Sequence, residues 1–161
     1  MPQTVLEPTE RAFLEGARRA TLATTSPSGR PRLVPICFAV GASDDRLGRP
    51  RLHSPIDEKP KTSPDPTSLG RVRDLLVLPE ATILVDRWSE DWDRLGWIRL
   101  DCIGDILDPR GPEQDEHAAA VVALRAKYEQ YATHHLEERP MLRFTITRVL
   151  AWGDLSTAEE A

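Results

Sequence analysis

The stretch Trp97–Leu107, WIRLDCIGDIL, constrains the fold of this chain more than any other. Ile98, Leu100, Cys102 and Ile106 fall on one face, and Arg99, Asp101 and Asp105 on the other. Alternation with a period of two is the pattern of a β-strand that turns one face to a core and the other to water. A second long run, Met141–Trp152, places Leu142, Phe144, Ile146, Leu150 and Trp152 on a common face in the same way. A chain framed by two such strands has one sheet face to cover and sheet edges to protect.

Further strands are expected at Arg19–Thr25 and Arg32–Val40, which flank a Ser-Pro-Ser-Gly turn as a hairpin, and at Arg51–Pro55 and Ala81–Asp86. Pro35 has no N–H to give a ladder, so its strand needs an edge, a bulge or a place where a ligand approaches. A first helix is expected after Pro8, with Thr9 as its N-cap and Phe13, Leu14 and Ala17 as its apolar stripe. A short one covers Arg71–Pro79 and is stopped by Pro79. The strongest spans Pro112–Tyr131, where His117, Val121, Leu124 and Tyr128 recur at helical spacing behind an acidic first turn. Strands and long helices do not alternate regularly, which argues against a doubly wound parallel sheet. The expected fold is mainly β, of α+β type. It is one six-stranded antiparallel barrel with flanking helices over residues 1–155, followed by a polar, frayed tail at 156–161.

At 161 residues the chain is the size of one domain. A net charge of −5 argues against a nucleic-acid binder, which needs a basic excess. No run approaches the roughly 20 apolar residues that span a bilayer. The N-terminus has neither the basic nor the apolar region of a secretory signal, so a soluble, cytoplasmic protein is expected. Cys37 and Cys102, each inside an apolar run, are expected to be buried thiols, and the ligand spacing of a structural zinc site is absent.

The sequence contains no GxGxxG, GxxxxGK[ST], HExxH or GxSxG motif. Asp57 and Glu58 are adjacent and expected as solvated loop carboxylates, and His134 and His135 as a surface pair. His53 sits on the strand leading into a basic loop and is a candidate to line a cofactor. Ser54, Lys59, Lys61 and Arg71 lie in and after that strand, whose end is broken by Pro55, Pro60 and Pro64. Convergent cationic and hydroxyl donors are what a phosphate requires. By itself this pattern fits a phosphate site and a solvated lysine loop alike.

Four segments read together go further: SGRPRLVPICF (Ser28–Phe38), DEKPK (Asp57–Lys61), Arg71–Ile106 with its LVDRWSEDWDRLGWIR core, and RFTITRVLAWG (Arg143–Gly153). In this order and spacing they resemble the pyridoxamine-phosphate-oxidase-like split β-barrel family, in particular its branch of coenzyme F420-dependent enzymes, from about Glu10 to Leu155. The resemblance implies a homodimer with two cofactor sites at the subunit interface. The cofactor ring would lie over Leu33, Val34, Pro35 and Ile36, and its phosphate would meet Arg32, Ser54, Lys59 and Lys61, with Arg71 a further member. Trp152 would stand near the ring edge, contributed by the partner subunit, or else be a core aromatic ending its strand. The implied activity is hydride transfer between F420 and a small electron-poor organic substrate. The alternatives are an FMN-dependent oxidoreductase and a non-catalytic cofactor carrier. The segment Thr62–Leu69 carries no basic residue where family members often have an arginine, and no acid, base or nucleophile stands out. Trp88, Trp92 and Trp97, set among charges, suit either a dimer interface or packing at a barrel end.

Overall fold

A computed structural model describes residues 5–56, 65 and 69–157. Helix α1 (Pro8–Gly16) is followed by strands β1 (Ala20–Thr25), β2 (Pro31–Ile36), β3 (Ala39–Val40) and β4 (Arg51–Pro55). Helix α2 (Gly70–Val77) leads to β5 (Glu80–Arg87) and β6 (Gly96–Leu107), and helix α3 (Gln114–Lys127) to β7 (Met141–Gly153). The strands form one antiparallel sheet in the order β2-β1-β5-β6-β7-β4-β3.

That order dictates the curl of the sheet. Strands β2 and β3 are its two edges, yet only Cys37 and Phe38 separate them in the chain. Three Cα–Cα steps reach at most about 11 Å. The edges of a flat seven-stranded sheet would stand about 29 Å apart. The sheet therefore rolls into a half-barrel whose edges meet at this link. The Tyr128 hydroxyl, at the end of α3, fixes the link by accepting the Phe38 N–H at 3.1 Å. It also lies 3.0 Å from the Arg18 carbonyl and 3.2 Å from that of Phe38, which share its one proton. Ser54 adds a bond from its hydroxyl to the Cys37 carbonyl, 2.7 Å. The expected single strand Arg32–Val40 is thus two strands on opposite edges, which makes seven rather than six. Pro35 sits, as its missing N–H requires, on edge strand β2.

The barrel core takes Leu22 from β1, Ile83 and Val85 from β5, Ile98, Leu100 and Cys102 from β6, and Leu142, Phe144 and Ile146 from β7, all buried. The alternation expected for β7 holds only to Ile146. Cys102 pairs with Ile146 and Asp101 with Arg148, so Thr147 is an extra residue, bonded through its hydroxyl to the Asp101 carbonyl at 3.1 Å. A bulge of one residue reverses the parity of everything beyond it. Val149 turns inward, and Trp152, expected on the core face, is 54% exposed.

The ends of α1 and α3 also differ from expectation. Helix α1 is capped by Glu7 rather than Thr9: Glu7 and Glu10 form a reciprocal capping box and Pro8 occupies the first helical turn. Helix α3 stops at Lys127 and tightens into a 3-10 turn over Glu129–Thr133. It lies outside the sheet over a second core formed by Ala39, Leu107, Val121, Leu124 and Tyr131. Cys102 is buried, whereas Cys37, at the barrel link, is half-buried. Among the described residues no helix is long and apolar enough to cross a membrane.

Candidate functional site

Helix α2 contacts β1 and β6, and Gly70 and Asp74 meet the β1–β2 hairpin there. The β1–β2 register sets Thr24 opposite Arg32, so both side chains lean to the same side of the sheet. Asp74, buried on α2, accepts the Thr24 hydroxyl and the Arg32 Nε, each at 2.7 Å. Burial pushes the Asp74 carboxyl up, but the bonds from Arg32 and Thr24 outweigh it and hold the carboxyl below its ordinary value. Asp74 thus fixes the guanidinium by one edge while the Arg32 side chain stays 45% exposed. The flat of the guanidinium lies on Gly70, where a Cβ would come within 2.7 Å of it. The N-cap of α2, Leu69, offers no side-chain cap, and its carbonyl accepts the Val72 and Arg73 N–H groups at 3.1 and 3.0 Å. Arg71 is half-buried in that turn.

The residues singled out from the sequence are therefore distributed over several places in the fold. The Arg32 guanidinium lies against Gly70 at the start of α2, and Arg71 is the next residue of that helix. Ser54 is buried, with its hydroxyl on the Cys37 carbonyl at the barrel link. Lys59 and Lys61 lie outside the described residues, as do Asp57 and Glu58. On β2, Leu33 and Pro35 face outward and are exposed, whereas Val34 is half-buried and Ile36 buried. Trp152 pairs with Trp97 across the β6–β7 ladder on the outer face, and Trp88 and Trp92 are exposed on the β5–β6 connection.

His53 is buried, with Nε2 3.2 Å from Glu116, and burial lowers its pKa. It belongs to a polar network between the sheet and α3. There Arg143 bonds Asp105 at 2.6 and 2.9 Å, Glu116 at 3.0 Å, and Glu113. Arg51 pairs with Glu116 as well. Neither this network nor the role of Asp74 is readable from spacing, because both join strands to helices that are remote in sequence.

No protein-family model and no curated protein sequence matches the chain. Solved structures do. The chain is similar to the heme storage protein HutZ from Vibrio cholerae, with a TM-score of 0.64 and 14% identity over 92% of this chain and 94% of that one. An F420 reductase superposes with a TM-score of 0.58 and 16% identity, over 93% of this chain and 98% of that one. A pyridoxamine 5'-phosphate oxidase assignment in Listeria innocua gives 0.55 and 10%, over 89% and 94%. Identities this low speak for architecture alone, and the architecture agrees with the rolled antiparallel sheet and its three helices: the chain has the pyridoxamine-phosphate-oxidase-like split-barrel fold.

Proposed function

We propose that this chain binds the phosphate of a flavin-type redox cofactor at the start of α2 and acts as an oxidoreductase on a small electron-poor organic substrate. F420 is the first candidate and FMN the alternative. The observation that carries this reading is the Arg32 guanidinium, held by Asp74, laid on a glycine and left open on its far side. An arginine oriented in advance binds an oxyanion with less loss of side-chain freedom. Lys59 and Lys61 precede Leu69 and Gly70 in the sequence, and this reading assigns their cations to the same phosphate. In this reading Arg32, Lys59, Lys61 and Arg71 hold the phosphate. Ser54 steadies the link beneath Leu33–Ile36, and the outward Leu33 and Pro35 present a flat, N–H-poor surface to the ring.

The cofactor, once bound, supplies hydride chemistry; the chain orients the ring and excludes water from one face. The exposed β2 edge and the exposed Trp88, Trp92 and Trp152 fit a second copy closing over the site, with Trp152 of one subunit near the ring of the other. The fold is also that of an F420 reductase, which favours the first candidate, and of a heme storage protein, which keeps the carrier reading in view.

Titration with F420 and with FMN, followed by quenching of tryptophan fluorescence, tests the reading. Arg32→Ala and the pair Lys59→Ala/Lys61→Ala should each weaken binding about ten- to hundredfold, the range for a charge-assisted hydrogen bond. Negligible quenching by both cofactors would overturn the proposal. Turnover of enones or nitroaromatics with reduced F420 separates a reductase from a carrier.

A further inference from the structure

A cavity of about 490 Å³ opens at the other end of the β1–β2 hairpin, between the last turn of α1, the end of β5 and residues 156 and 157. Small-molecule sites measure about 300–1,000 Å³. Arg19, on its rim, precedes β1, and Thr24, opposite Arg32, lies five residues further on. Along a strand that is about 17 Å. The cavity is thus separate from the Arg32 cradle.

Its floor is the ring of Phe13, with the Arg87 guanidinium 5.4 Å above the centroid. At Gly16 a Cβ would meet nothing within 4 Å, so this wall is open. Arg87 is structural: it donates to the carbonyls of Arg94 (3.1 Å) and Ser156 (2.7 Å) and pairs with Asp154 at 3.2 Å. These bonds strap residues 154–156 down as the far wall, and of these Ser156 belongs to the tail expected to fray. Recognition falls to the other two arginines. Arg18 donates Nη1 to the Lys127 carbonyl and keeps its remaining N–H groups. Arg19 is exposed and makes no hydrogen bond or ion pair among the described residues. Asp86 is the one acid in the lining. In a chain of net charge −5, two arginines with spare donors against one carboxylate, over an apolar floor, form a local positive spot above a greasy pocket.

We infer that this cavity binds a small organic monoanion with an apolar body, an aryl or short-chain carboxylate, whose carboxylate meets Arg19 and Arg18 while its body lies along Gly16, Ala17 and the open edge of Phe13. A doubly charged or fully polar ligand would gain nothing from the ring floor. A neutral apolar one would leave the guanidinium groups unanswered.

Calorimetric titration of the full chain with 2-naphthoate and with neutral 2-naphthamide tests this without any cofactor. The acid should bind one per chain, and the amide about tenfold or more weaker, as expected for one lost charge-assisted bond. Arg19→Glu should weaken the acid by at least the same factor. Gly16→Phe, which projects a ring into open space at an exposed helix end, should abolish binding with the fold intact by circular dichroism. Equal affinity for acid and amide, unchanged binding by Arg19→Glu or Gly16→Phe, or no binding to the unaltered chain would each overturn the inference.

Discussion

Asp74→Ala removes the acceptor shared by Thr24 and Arg32, and the structure sets the size of the loss. The Thr24 hydroxyl is buried and bonded to a carboxylate, an interaction worth about 1.5–3 kcal/mol. The Arg32 side chain is 45% exposed, so water screens its ion pair to about 0.2–1 kcal/mol. Together these predict a loss of about 2–4 kcal/mol. At about 2–4 °C per kcal/mol for a chain of this length, Tm should fall by about 5–15 °C in a thermal scan. Because Thr24 carries most of the loss, Thr24→Val and Asp74→Ala should be strongly non-additive.

Acid should erase the difference. The folded pKa of Asp74 is depressed, so its stabilisation is complete above the unfolded value near 3.9 and fades as pH falls through the lower folded value. The gap between the two proteins should be flat from pH 8 to 5 and narrow below about pH 4. A Tm within 2 °C of the parent at pH 7, or full additivity with Thr24→Val, would refute the assignment of Asp74 as the anchor.

Three other outcomes are expected. Arg143→Met strands three carboxylates, but Asp105 and Glu113 are about half exposed, so urea unfolding should show a loss of only about 1–3 kcal/mol. The Arg143 bond holds Glu113 below its ordinary pKa, so this loss too should shrink as pH drops below about 4. Gly153→Ala should cost at least about 2 kcal/mol by the same assay, because φ is +84° and the new Cβ would sit 2.1 Å from the Leu95 carbonyl oxygen. Burial, with Arg18 beside it, lowers the Lys127 ammonium to about 8, so its methyl signals should titrate near pH 8 by NMR of the dimethylated protein. The folded state then binds fewer protons than the unfolded one between about pH 8 and 10.5, and this group's contribution to stability rises across that window.

Much of the architecture follows from side-chain period. The alternation of Trp97–Leu107 predicts β6 almost to its ends, and Arg51–Pro55 coincides with β4. Pro35 announced an edge because the physics of a missing donor is local. What escaped was non-local. Nothing in RLVPICFAV tells that the chain leaves one edge at Ile36 and joins the other at Ala39, since the break is made by Tyr128, ninety residues away. The bulge at Thr147 is silent for a related reason: an extra residue is visible only against the partner strand. At the site, Arg32 and Arg71 were legible as cations, whereas nothing in the spacing marks Asp74, which aims Arg32. Lys59 and Lys61 fall on residues outside the described set.

The link at Cys37–Phe38 makes the two outermost strands of the sheet close neighbours along the chain. It is therefore a clasp. An open edge invites a strand from another molecule, and most sheets blunt theirs one side chain at a time. Here a connection too short to let the rims separate holds them side by side where they meet, while the rest of β2 stays an exposed edge. Its shortness, more than its chemistry, is what sequence drift has to keep: a few inserted residues would leave every core contact available and still give the β1–β2 hairpin freedom to swing out and pair elsewhere.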